Sequence, residues 1–553
     1  MGGPENKPLK RPLRLGLLVD SLTQPRWIAD VIQEIRSSDV ADIALVIKNE
    51  TQNAKRGRFK SYWHNRNYLL YALYSRFDNF RVAVKPDPFE PVDISAAIAG
   101  CPILNLTPVA KKYSDWFDQK DLSVISQYDL DVALAFGFRI LKGEALNIAK
   151  HGVWSYHHGD NLVNRGGPAG FWEVIDGSPV TGSILQVLTE DLDNGIIIYR
   201  SYSATSDRFS VKANRASLYW KSASFVLRCL TALAQGSALP LPENHLYRPY
   251  SNRLYKLPTN RELLRRLPQM VAKYGVSKIQ AAVSFNQWVL AYRYKSSASD
   301  TNNSFYRFKY LTPPADRFWA DPVPEKVAGR YYVFFEEYLY SSQKGHISVV
   351  ELDKSGIVTS PAIVLERDYH LSYPFIFQWN GNYYMVPETS SNNQIELYRC
   401  VSFPLRWEFE AVLMPDVQAK DATLIEVNGK WWMFLSLAAH GVSDELSLYY
   451  ADTPLGPWTA HPLNPVKSDV RSARSAGRLF YWNGDLYRPA QDCSKRYGYA
   501  ISINKIISLD PFQFSEVEVA RILPNWDKNL LATHTLNSSD DLTVIDCLFR
   551  RAR

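Results

Sequence analysis

The sequence predicts an α/β, Rossmann-like domain followed by an all-β domain with the architecture of a five-bladed β-propeller. Two observations lead to this prediction. In the first half, short buried strands alternate with helical segments, as a doubly wound sheet requires. The second half is richer in tryptophan and tyrosine and repeats a unit of about 50 residues, a period typical of propeller blades.

The length of the chain requires more than one domain. A chain of 553 residues is too long for one hydrophobic core and implies roughly two to four domains. We expect the α/β domain over residues 11–245, where a proline-rich stretch marks its end. A helical bridge and linker follows over 246–304, with a helix break expected at Pro268. The propeller is predicted over 305–553.

Composition excludes several classes of protein. The net charge of +7 comes from scattered residues whose only basic runs are 7–14 and 261–266, so nucleic-acid binding is not expected. Five cysteines without a Cys-x-x-Cys pair argue against a disulfide framework and a metal site. Without a signal-peptide pattern or an apolar run of about 18 residues, we expect a cytoplasmic protein with no membrane span. The oligomeric state stays open.

The elements of the first domain follow in order. Residues 13–19 predict a buried strand, residues 27–35 have the apolar spacing of a helix, and residues 43–47 predict the next strand. A further buried strand is predicted over 130–136 and one long helix over 211–233. The glycine-rich turn of dinucleotide-binding proteins is absent, which removes the argument for NAD.

Residues 56–80 carry many aromatic residues among basic ones, including Tyr68 and Tyr71. One interpretation is a surface that binds a substrate or a partner. The other is an amphipathic helix packed on the sheet. The second interpretation predicts that the apolar side chains of this helix are buried.

The most informative stretch of the first half runs from 152 to 195. His157 ends one apolar run, an Arg165-Gly166 turn follows, and a second run that alternates apolar and polar residues ends in Asp193-Asn194-Gly195. Alternation with a period of two indicates a strand. The stretch therefore predicts two strands that present an imidazole and a carboxylate.

This order of motifs resembles the folate-dependent formyltransferases, which act on methionyl-tRNA, glycinamide ribonucleotide and sugar nucleotides. The resemblance implies 10-formyltetrahydrofolate as the formyl donor and an amine as the acceptor. It implies His157 and Asp193 as catalytic residues, with Ser155 at the position where the family has asparagine. The residues that it implies for contact with the donor are Phe136, Gly137, Phe138, Ile140, Leu141, Arg165 and Gly166.

The chemistry explains these residue types. Transfer of a formyl group to an amine passes through an oxyanion and releases a proton, which an imidazole near neutral pKa and a carboxylate can handle. A serine hydroxyl can donate to the oxyanion but is shorter than asparagine, and loss of one such donor can cost about 10²-fold in rate. The alternative is that His157 is structural and Asp193 belongs to a turn.

The repeat in the second half is marked by glycines. Gly329, Gly381, Gly429 and Gly484 each precede an aromatic strand, at spacings of 52, 48 and 55 residues, and residues 540–543 close the series as a fifth copy. The inner strand of each unit begins eight residues before its glycine, so Asp321 and Asp421 are expected to meet at the central axis.

Asp321 and Asp421 resemble the carboxylates of five-bladed glycoside hydrolases of the arabinanase and invertase type. Their general-acid glutamate is missing from the corresponding stretch at 471–478, and Glu388 and Glu445 are the alternatives. Arginines around the pocket suit an anionic sugar ligand; otherwise the two aspartates only cap turns. The residues predicted for this pocket are Asp321, Asp421, Glu388, Arg474, Arg478, Arg488, Asp492 and His534.

The second half also resembles the N-terminal region of plant glucosamine inositolphosphorylceramide transferase. Together the resemblances imply a transferase that formylates an amino sugar, nucleotide-linked, in surface-glycan or glycolipid biosynthesis, with a propeller that binds saccharide. Two alternatives stay open. The propeller is a glycosidase or glycosyl-transferring enzyme beside a degenerate first domain, or the whole chain is a non-catalytic carbohydrate-binding protein.

Overall fold

The computed structural model describes residues 11–51, 66–191, 194–206, 209–236, 250–295, 304–439 and 441–552. The chain divides into two compact units. The first comprises residues 1–201 and 205–274, and the second comprises residues 202–204 and 275–553.

The first unit contains most of the helices and twelve described strands, although the end of its last strand, 202–204, and the end of its last helix, 275–283, belong to the second unit. The strands are β1 (Leu13–Val19), β2 (Thr23–Pro25), β3 (Ala41–Asn49), β4 (Pro91–Asp93), β5 (Ile103–Leu106), β6 (Val109–Ala110), β7 (Ser114–Trp116), β8 (Val132–Ala135), β9 (Ile140–Leu141), β10 (Val153–His157), β11 (Val180–Val187) and β12 (Ile196–Ala204). The helices are α1 (Arg26–Arg36), α2 (Leu69–Arg81), α3 (Gln119–Ser126), α4 (Phe171–Asp176), α5 (Val211–Ala223), α6 (Phe225–Ala234) and α7 (Asn260–Val283), with short 3₁₀ turns at Arg66–Tyr68 and Gly143–Asn147.

One seven-stranded sheet organises this unit, in the order β12-β11-β10-β8-β1-β3-β5. β1 is parallel to β3 and β8, β10 is parallel to β8, and β11 turns back antiparallel to β10. Almost every residue of β1 is buried, because helices cover both faces of a parallel sheet. The carboxyl ends of β8 and β10 lie side by side at one edge, which is where ligands bind in sheets of this type.

Two predicted helices differ in detail. The segment expected to form one helix over 211–233 forms two, α5 and α6, which meet at Ser224. The predicted break at Pro268 is wrong, because α7 is continuous through it. Thr259 and Glu262 form a capping box at the start of α7, in which each side chain accepts the other's backbone N–H.

The interpretation of 56–80 as a packed amphipathic helix holds only in part for α2, in which Tyr74 packs in an apolar cluster together with Leu70 and Tyr71. Only Tyr74 and Asp78 of this helix are buried. Leu69, Leu73, Phe77 and Phe80 are exposed. Residues 52–65, which precede α2, lie outside the described residues.

The second unit is built from antiparallel strands. They are β13 (Ser284–Tyr294), β14 (Lys309–Leu311), β15 (Arg317–Val327), β16 (Arg330–Leu339), β17 (Lys344–Leu352), β18 (Ala362–Leu365), β19 (Ser372–Trp379), β20 (Asn382–Glu388), β21 (Gln394–Ser402), β22 (Arg406–Pro415), β23 (Ala419–Val427), β24 (Lys430–Leu437), β25 (Glu445–Ala451), β26 (Thr459–Ala460), β27 (Lys467–Ser468), β28 (Phe480–Trp482), β29 (Asp485–Asp492), β30 (Ala500–Leu509), β31 (Phe514–Ile522), β32 (Leu530–Ala532), β33 (Leu536–Ser539) and β34 (Leu542–Ala552). Short 3₁₀ turns lie at Phe305–Arg307 and Ser390–Asn392.

These strands form five sheets of four or five strands. Four sheets follow the chain, from β15–β18 to β28–β31, and in each the first two strands are joined by a tight turn at a predicted glycine. The residue before that glycine and the glycine itself both have positive φ, for example 54° at Asn428 and 74° at Gly429. Two successive positive φ values define the type I′ turn, which suits the twist of a hairpin.

The fifth sheet pairs strands from the two ends of the second unit. It places the start of the all-β part earlier than predicted. β13 pairs antiparallel with β34 along Ser284–Tyr294 and Leu542–Ala552. The all-β part therefore begins at 284 and not at 305, because the predicted linker supplies a strand that the last strand needs as its partner. None of the helices in the described parts of the chain is long and apolar enough to cross a membrane.

Candidate functional site

The first candidate site lies at the end of β10. Ser155 and His157 are two residues apart on this strand, so their side chains point to the same face of the sheet. Ser155 lies opposite Gln186 of β11. Directly opposite residues of an antiparallel pair point to the same face, with Cβ atoms about 4.5–5.5 Å apart. The side chain of Gln186 therefore lies on the same face of the sheet as those of Ser155 and His157.

His157 is oriented by the loop that follows β10. Its Nε2 lies 3.0 Å from the carbonyl oxygen of Asn164. Because a carbonyl oxygen only accepts hydrogen bonds, Nε2 carries the proton, and Nδ1 is the basic nitrogen of the neutral ring. The side chain of Asn164 donates to Oε1 of Glu173 in α4 over 2.7 Å. The loop that holds the imidazole is thus itself held by α4.

Three buried polar atoms of this region have no hydrogen-bond partner within the described residues. They are Asn164 Oδ1, Glu173 Oε2 and Gln186 Oε1. Burial raises the pKa of Glu173 above its ordinary value, so its carboxyl group takes up a proton more readily. An unsatisfied buried polar group costs about 1–3 kcal/mol. A ligand that supplies the missing partners would recover that cost.

The predicted donor-contact residues 136–141 follow β8, beside the end of β10. Phe136 stacks on Tyr156 of β10 with ring centroids 6.3 Å apart. Phe138 has a φ of 67°, and its N–H donates to Asp20 Oδ1 over 2.8 Å. Gly137 packs so closely on the backbone at Asp20 that a Cβ would lie 2.5 Å from its nitrogen. This loop is therefore held rigidly at the edge where His157 lies.

The other predicted residues of the first site have different surroundings. Leu141 is a buried core residue, and Ile140 is half-buried beside it in β9. Arg165 donates to the carbonyl oxygen of Asn161 and lies over the ring of Tyr250.

Gly166 has a φ of 94°, and a Cβ there would lie 2.2 Å from the carbonyl oxygen of Tyr255. Arg165 and Gly166 therefore fasten the loop that carries Asn164. Asp193, the predicted carboxylate partner of His157, lies outside the described residues.

His158 shows by contrast what a structural histidine looks like here. Its ring stacks on Tyr219 with centroids 3.7 Å apart, and its Nε2 lies 3.0 Å from Ser222 Oγ. Burial lowers its pKa to about 3. His158 is therefore a neutral core residue.

The second candidate site is a set of polar residues in the second unit. Hydrogen bonds among these residues connect all five sheets. We call this set the central cluster. Its members are Asp321, Glu336, Tyr373, Glu388, Asp421, Thr423, Arg474, Gln491, His534, Thr535 and Asp546.

Asp321, Tyr373 and Asp421 enter the central cluster from equivalent places on three successive sheets. Their φ values are 52°, 43° and 52°. Each lies where the pairing of its strand shifts register, as at a β-bulge. A bulge redirects a side chain, and a non-glycine residue held at positive φ outside a tight turn costs about 1–3 kcal/mol, which the surrounding contacts must offset.

Asp321, His534 and Asp546 form a buried ion triad. His534 Nδ1 lies 2.8 Å from Asp546, and its Nε2 lies 3.2 Å from Asp321. Burial lowers the pKa of His534, but the charges of Asp546 and Asp321 outweigh it and hold that pKa well above its ordinary value. The donor atoms of the three residues lie within 4.8 Å of one another, a spacing that could hold a metal ion. Because both ring nitrogens already face carboxylates, we interpret the triad as an imidazolium between two carboxylates.

Asp421 is paired with Arg474. Two nitrogens of the guanidinium bind the two carboxylate oxygens over 2.5 and 3.1 Å. Gln491 donates to the same carboxylate over 2.8 Å. Arg474 thus occupies the stretch in which the family resemblance places a general acid, and Asp421 is held as its counter-ion.

Two glutamates of the central cluster have raised pKa values. Burial, and next the charge of Asp421, raise the pKa of Glu388 to about 7, although Lys420 lies 2.5 Å from Oε1. Burial, Asp321 and Glu388 raise the pKa of Glu336 well above its ordinary value. A carboxyl group that titrates near neutrality is suited to donate a proton.

Three residues predicted for this pocket lie elsewhere in the second unit. Arg488 is fully buried and binds Glu516 over 2.6 Å. Asp492 binds Arg521 over 2.6 Å. Arg478 pairs with Glu325.

These residues join strands and sheets and do not reach the central cluster. The expectation that they bind an anionic ligand has no support in this placement. Glu445, the other alternative for a general acid, accepts a hydrogen bond from Ser468.

Sequence reasoning missed several members of both sites. In the first unit these are Gln186, Asn164 and Glu173, and in the second Glu336, Tyr373, Gln491 and Asp546. Gln186 could have been found, because the predicted pair of strands places it opposite Ser155. Asp546 could not, since only the return of the last strand to β13 brings it beside Asp321.

Comparison with known proteins gives a different similarity for each half. Residues 310–539 match the family model of glucosamine inositolphosphorylceramide transferase 1, N-terminal. The transferase of this name from Oryza sativa subsp. japonica is 39% identical over 208 residues, which are 36% of this chain and 28% of the relative. The chain thus spans less than a third of that relative's length. The predicted resemblance of the second half to this N-terminal region is confirmed.

The formyltransferase resemblance is also confirmed, at a lower level. Methionyl-tRNA formyltransferase of Phocaeicola vulgatus is 29% identical over 122 residues, covering 22% of this chain and 37% of the relative. Among solved structures, a family 117 glycoside hydrolase of Zobellia galactanivorans is 16% identical with a TM-score of 0.31, covering 48% of this chain and 90% of that chain. A likeness at that level carries no argument about function.

Proposed function

We propose that the protein is an N-formyltransferase. It transfers the formyl group of 10-formyltetrahydrofolate to the amine of a nucleotide-linked amino sugar, in the biosynthesis of a surface glycan or glycolipid, and it acts in the cytoplasm. The observation that carries the proposal is the shared face of Ser155 and His157 at the carboxyl end of β10, with the imidazole oriented by Asn164. Similarity to a formyltransferase supports it.

The residues of the first site fit the formyl donor. The loop 136–138 is held beside β10 by Asp20, and the unpartnered oxygens of Gln186, Asn164 and Glu173 offer polar contacts. Bound at this edge, the donor supplies the formyl group.

His157 accepts the proton that the amine loses and is well placed to face the negative charge that develops on the formyl oxygen. Ser155 donates to the same oxygen. Asp193 is assigned the role of orienting the imidazole or taking its proton.

Formyl transfer should be measured with isotopically labelled 10-formyltetrahydrofolate and a panel of free and nucleotide-linked amino sugars. His157→Ala should lower the rate by about 10²-fold or more, because it removes the proton acceptor. His151→Ala, a half-buried histidine before β10, is the matched control and should retain the rate. An unchanged rate in His157→Ala would reject the proposal.

For the second unit we propose that the five sheets are the blades of a β-propeller whose axis passes through the central cluster, and that this cluster binds the saccharide. The hydrogen bonds that connect all five sheets around Asp321, Tyr373 and Asp421 support this arrangement. Carboxylates and a tyrosine are common partners of sugar hydroxyls. Asp321→Asn should weaken saccharide binding in calorimetry without changing the affinity for folate.

One observation favours a second function, hydrolysis or transfer of a glycosidic bond in the second unit. The pKa of Glu388 is raised to about 7, which suits a general acid, whereas Asp321 lies beside His534 and accepts a hydrogen bond from Thr535. Two carboxyl groups in such different environments can serve as acid and carboxylate of one reaction. Aryl-glycoside cleavage that disappears in both Asp321→Asn and Glu388→Gln would establish this function. If the wild-type chain cleaves no aryl glycoside, this second function is rejected and saccharide binding remains the proposed role of the second unit.

A further inference from the structure

Helix α2 presents an exposed apolar stripe. Its members are Leu69, Leu73, Phe77 and Phe80, with exposed fractions of 43%, 63%, 61% and 91%. At 100° per residue these positions fall within an arc of about 80° on one side of the helix. The buried Tyr74 and Asp78 lie about 100° and 140° around the helix from the middle of this stripe. α2 is therefore anchored by one face and leaves four large apolar side chains on the other.

The first part of α7 adjoins this helix. Asn260, at the start of α7, accepts from the backbone N–H of Leu70 and donates to the carbonyl oxygen of Arg66. Tyr71 of α2 packs in the same apolar cluster as Leu267 of α7. α7 also exposes apolar side chains, Leu264 and Val271, at 66% and 61%.

Both helices are strongly basic. The basic residues of 66–81 and 260–274 are Arg66, Arg76, Arg81, Arg261, Arg265, Arg266 and Lys273. Their acidic residues are Asp78, which is buried and binds Arg81, and Glu262, which binds Arg253. Arg265 and Lys273 also line a cavity of about 260 Å³ beside Asp176.

A helix with leucine and phenylalanine on one face and arginine beside them is the form that lies in the interface of a membrane. We propose that α2 and the first part of α7 dock this unit on an anionic lipid surface. The stripe enters the boundary between headgroups and acyl chains. Arg81 and Arg266 are engaged by Asp78 and Asp176, and the other basic residues, among them Arg76, Arg265 and Lys273, face lipid phosphates.

A second copy of the chain suits this face less well. A two-fold dimer would place the same patch against itself, and the arginines of both copies would then face one another. The positive charge therefore favours an anionic partner. The apolar stripe favours a partner that also offers acyl chains, which is a lipid surface. The proposal is independent of formyl transfer, because none of these residues belongs to either candidate site.

The test uses the full chain and vesicles of phosphatidylcholine with or without phosphatidylglycerol, separated by sedimentation. We expect the wild type to bind the anionic vesicles and binding to fall as salt is added. Leu73→Gln/Phe77→Gln/Phe80→Gln should lower partitioning at least about tenfold, and Arg76→Gln/Arg265→Gln/Lys273→Gln should lower it by a similar factor.

Phe512→Gln/Val517→Gln/Val519→Gln is the matched control. It removes three exposed apolar side chains of the second unit and should leave partitioning unchanged. Far-ultraviolet circular dichroism and the unfolding midpoint check that each variant folds.

Three results would overturn the proposal. They are failure of the wild type to bind, equal binding to neutral vesicles, and equal binding by the stripe variant. Self-association that the stripe variant abolishes, without vesicle binding, would assign the face to a second copy.

Discussion

Gln186 has an unpartnered buried oxygen opposite Ser155, and this offers a direct test of the first site. Gln186→Leu removes the amide while nearly keeping its volume. We expect formyl transfer to fall by about tenfold or more, because a polar contact to the reacting group is lost.

The unfolding free energy of this variant should stay the same or rise, since the amide oxygen makes no hydrogen bond within the described residues. Denaturant unfolding gives the second quantity. A large loss of stability with unchanged activity would show that the amide is structural.

His534 holds two buried carboxylates together, so its removal should be costly. We expect His534→Ala to lower the unfolding free energy by about 3–5 kcal/mol at neutral pH, because Asp321 and Asp546 lose their counter-ion. His534→Ala/Asp546→Asn should recover part of the loss. A double variant no more stable than the single one would contradict the ion triad.

Glu388 makes a prediction about pH. Its pKa is raised from 4.5 to about 7 by burial, so between these values the folded state holds a proton that the unfolded state has released. The unfolding free energy should therefore fall as pH rises through this window. Glu388→Gln cannot titrate and should show a smaller fall between pH 5 and about 7.5 in denaturant unfolding. Parallel pH profiles of the two proteins would refute the raised pKa.

At the scale of elements, the hairpin turns explain why the repeat was visible in the sequence. Gly429 has a φ of 74°, and no atom lies within 4 Å of a Cβ placed there. Gly429→Ala should therefore cost only the conformational penalty of a left-handed residue, about 1 kcal/mol.

Gly477→Ala should cost considerably more. Its φ is 120°, and a Cβ would lie 2.2 Å from the carbonyl oxygen of Leu536. Chemical denaturation of both variants measures the difference. Equal losses would contradict the close packing at Gly477.

At the scale of the whole molecule, β13 decides where the second unit begins. A chain of residues 275–553 keeps the pairing of β13 with β34 and should unfold in one cooperative transition. A chain of residues 305–553 leaves β34 without this partner and should be less soluble and more easily unfolded, because a long unpaired strand edge associates with other chains. Equal midpoints for the two chains would show that β13 is dispensable.

Much of this protein is encoded locally. The turn glycines, at spacings of 52, 48 and 55 residues, and the aromatic strands that follow them predict five repeats without any structure. The strand that ends in His157 and its antiparallel neighbour are predicted in the same way. A strand is recognised from the alternation of apolar and polar residues, and a turn from its glycine. Both signals involve only a few neighbouring positions, so they can be read along the chain.

Only the tertiary structure decided which charges meet. It pairs Asp421 with Arg474, sets His534 between Asp321 and Asp546, and carries Arg488 away to Glu516. It also leaves the apolar face of α2 uncovered, where helical periodicity alone predicts a buried one. Burial, counter-ions and exposure depend on residues that lie tens to hundreds of positions apart. The pKa of Glu388 and the partner of β34 therefore follow from that packing and not from local sequence.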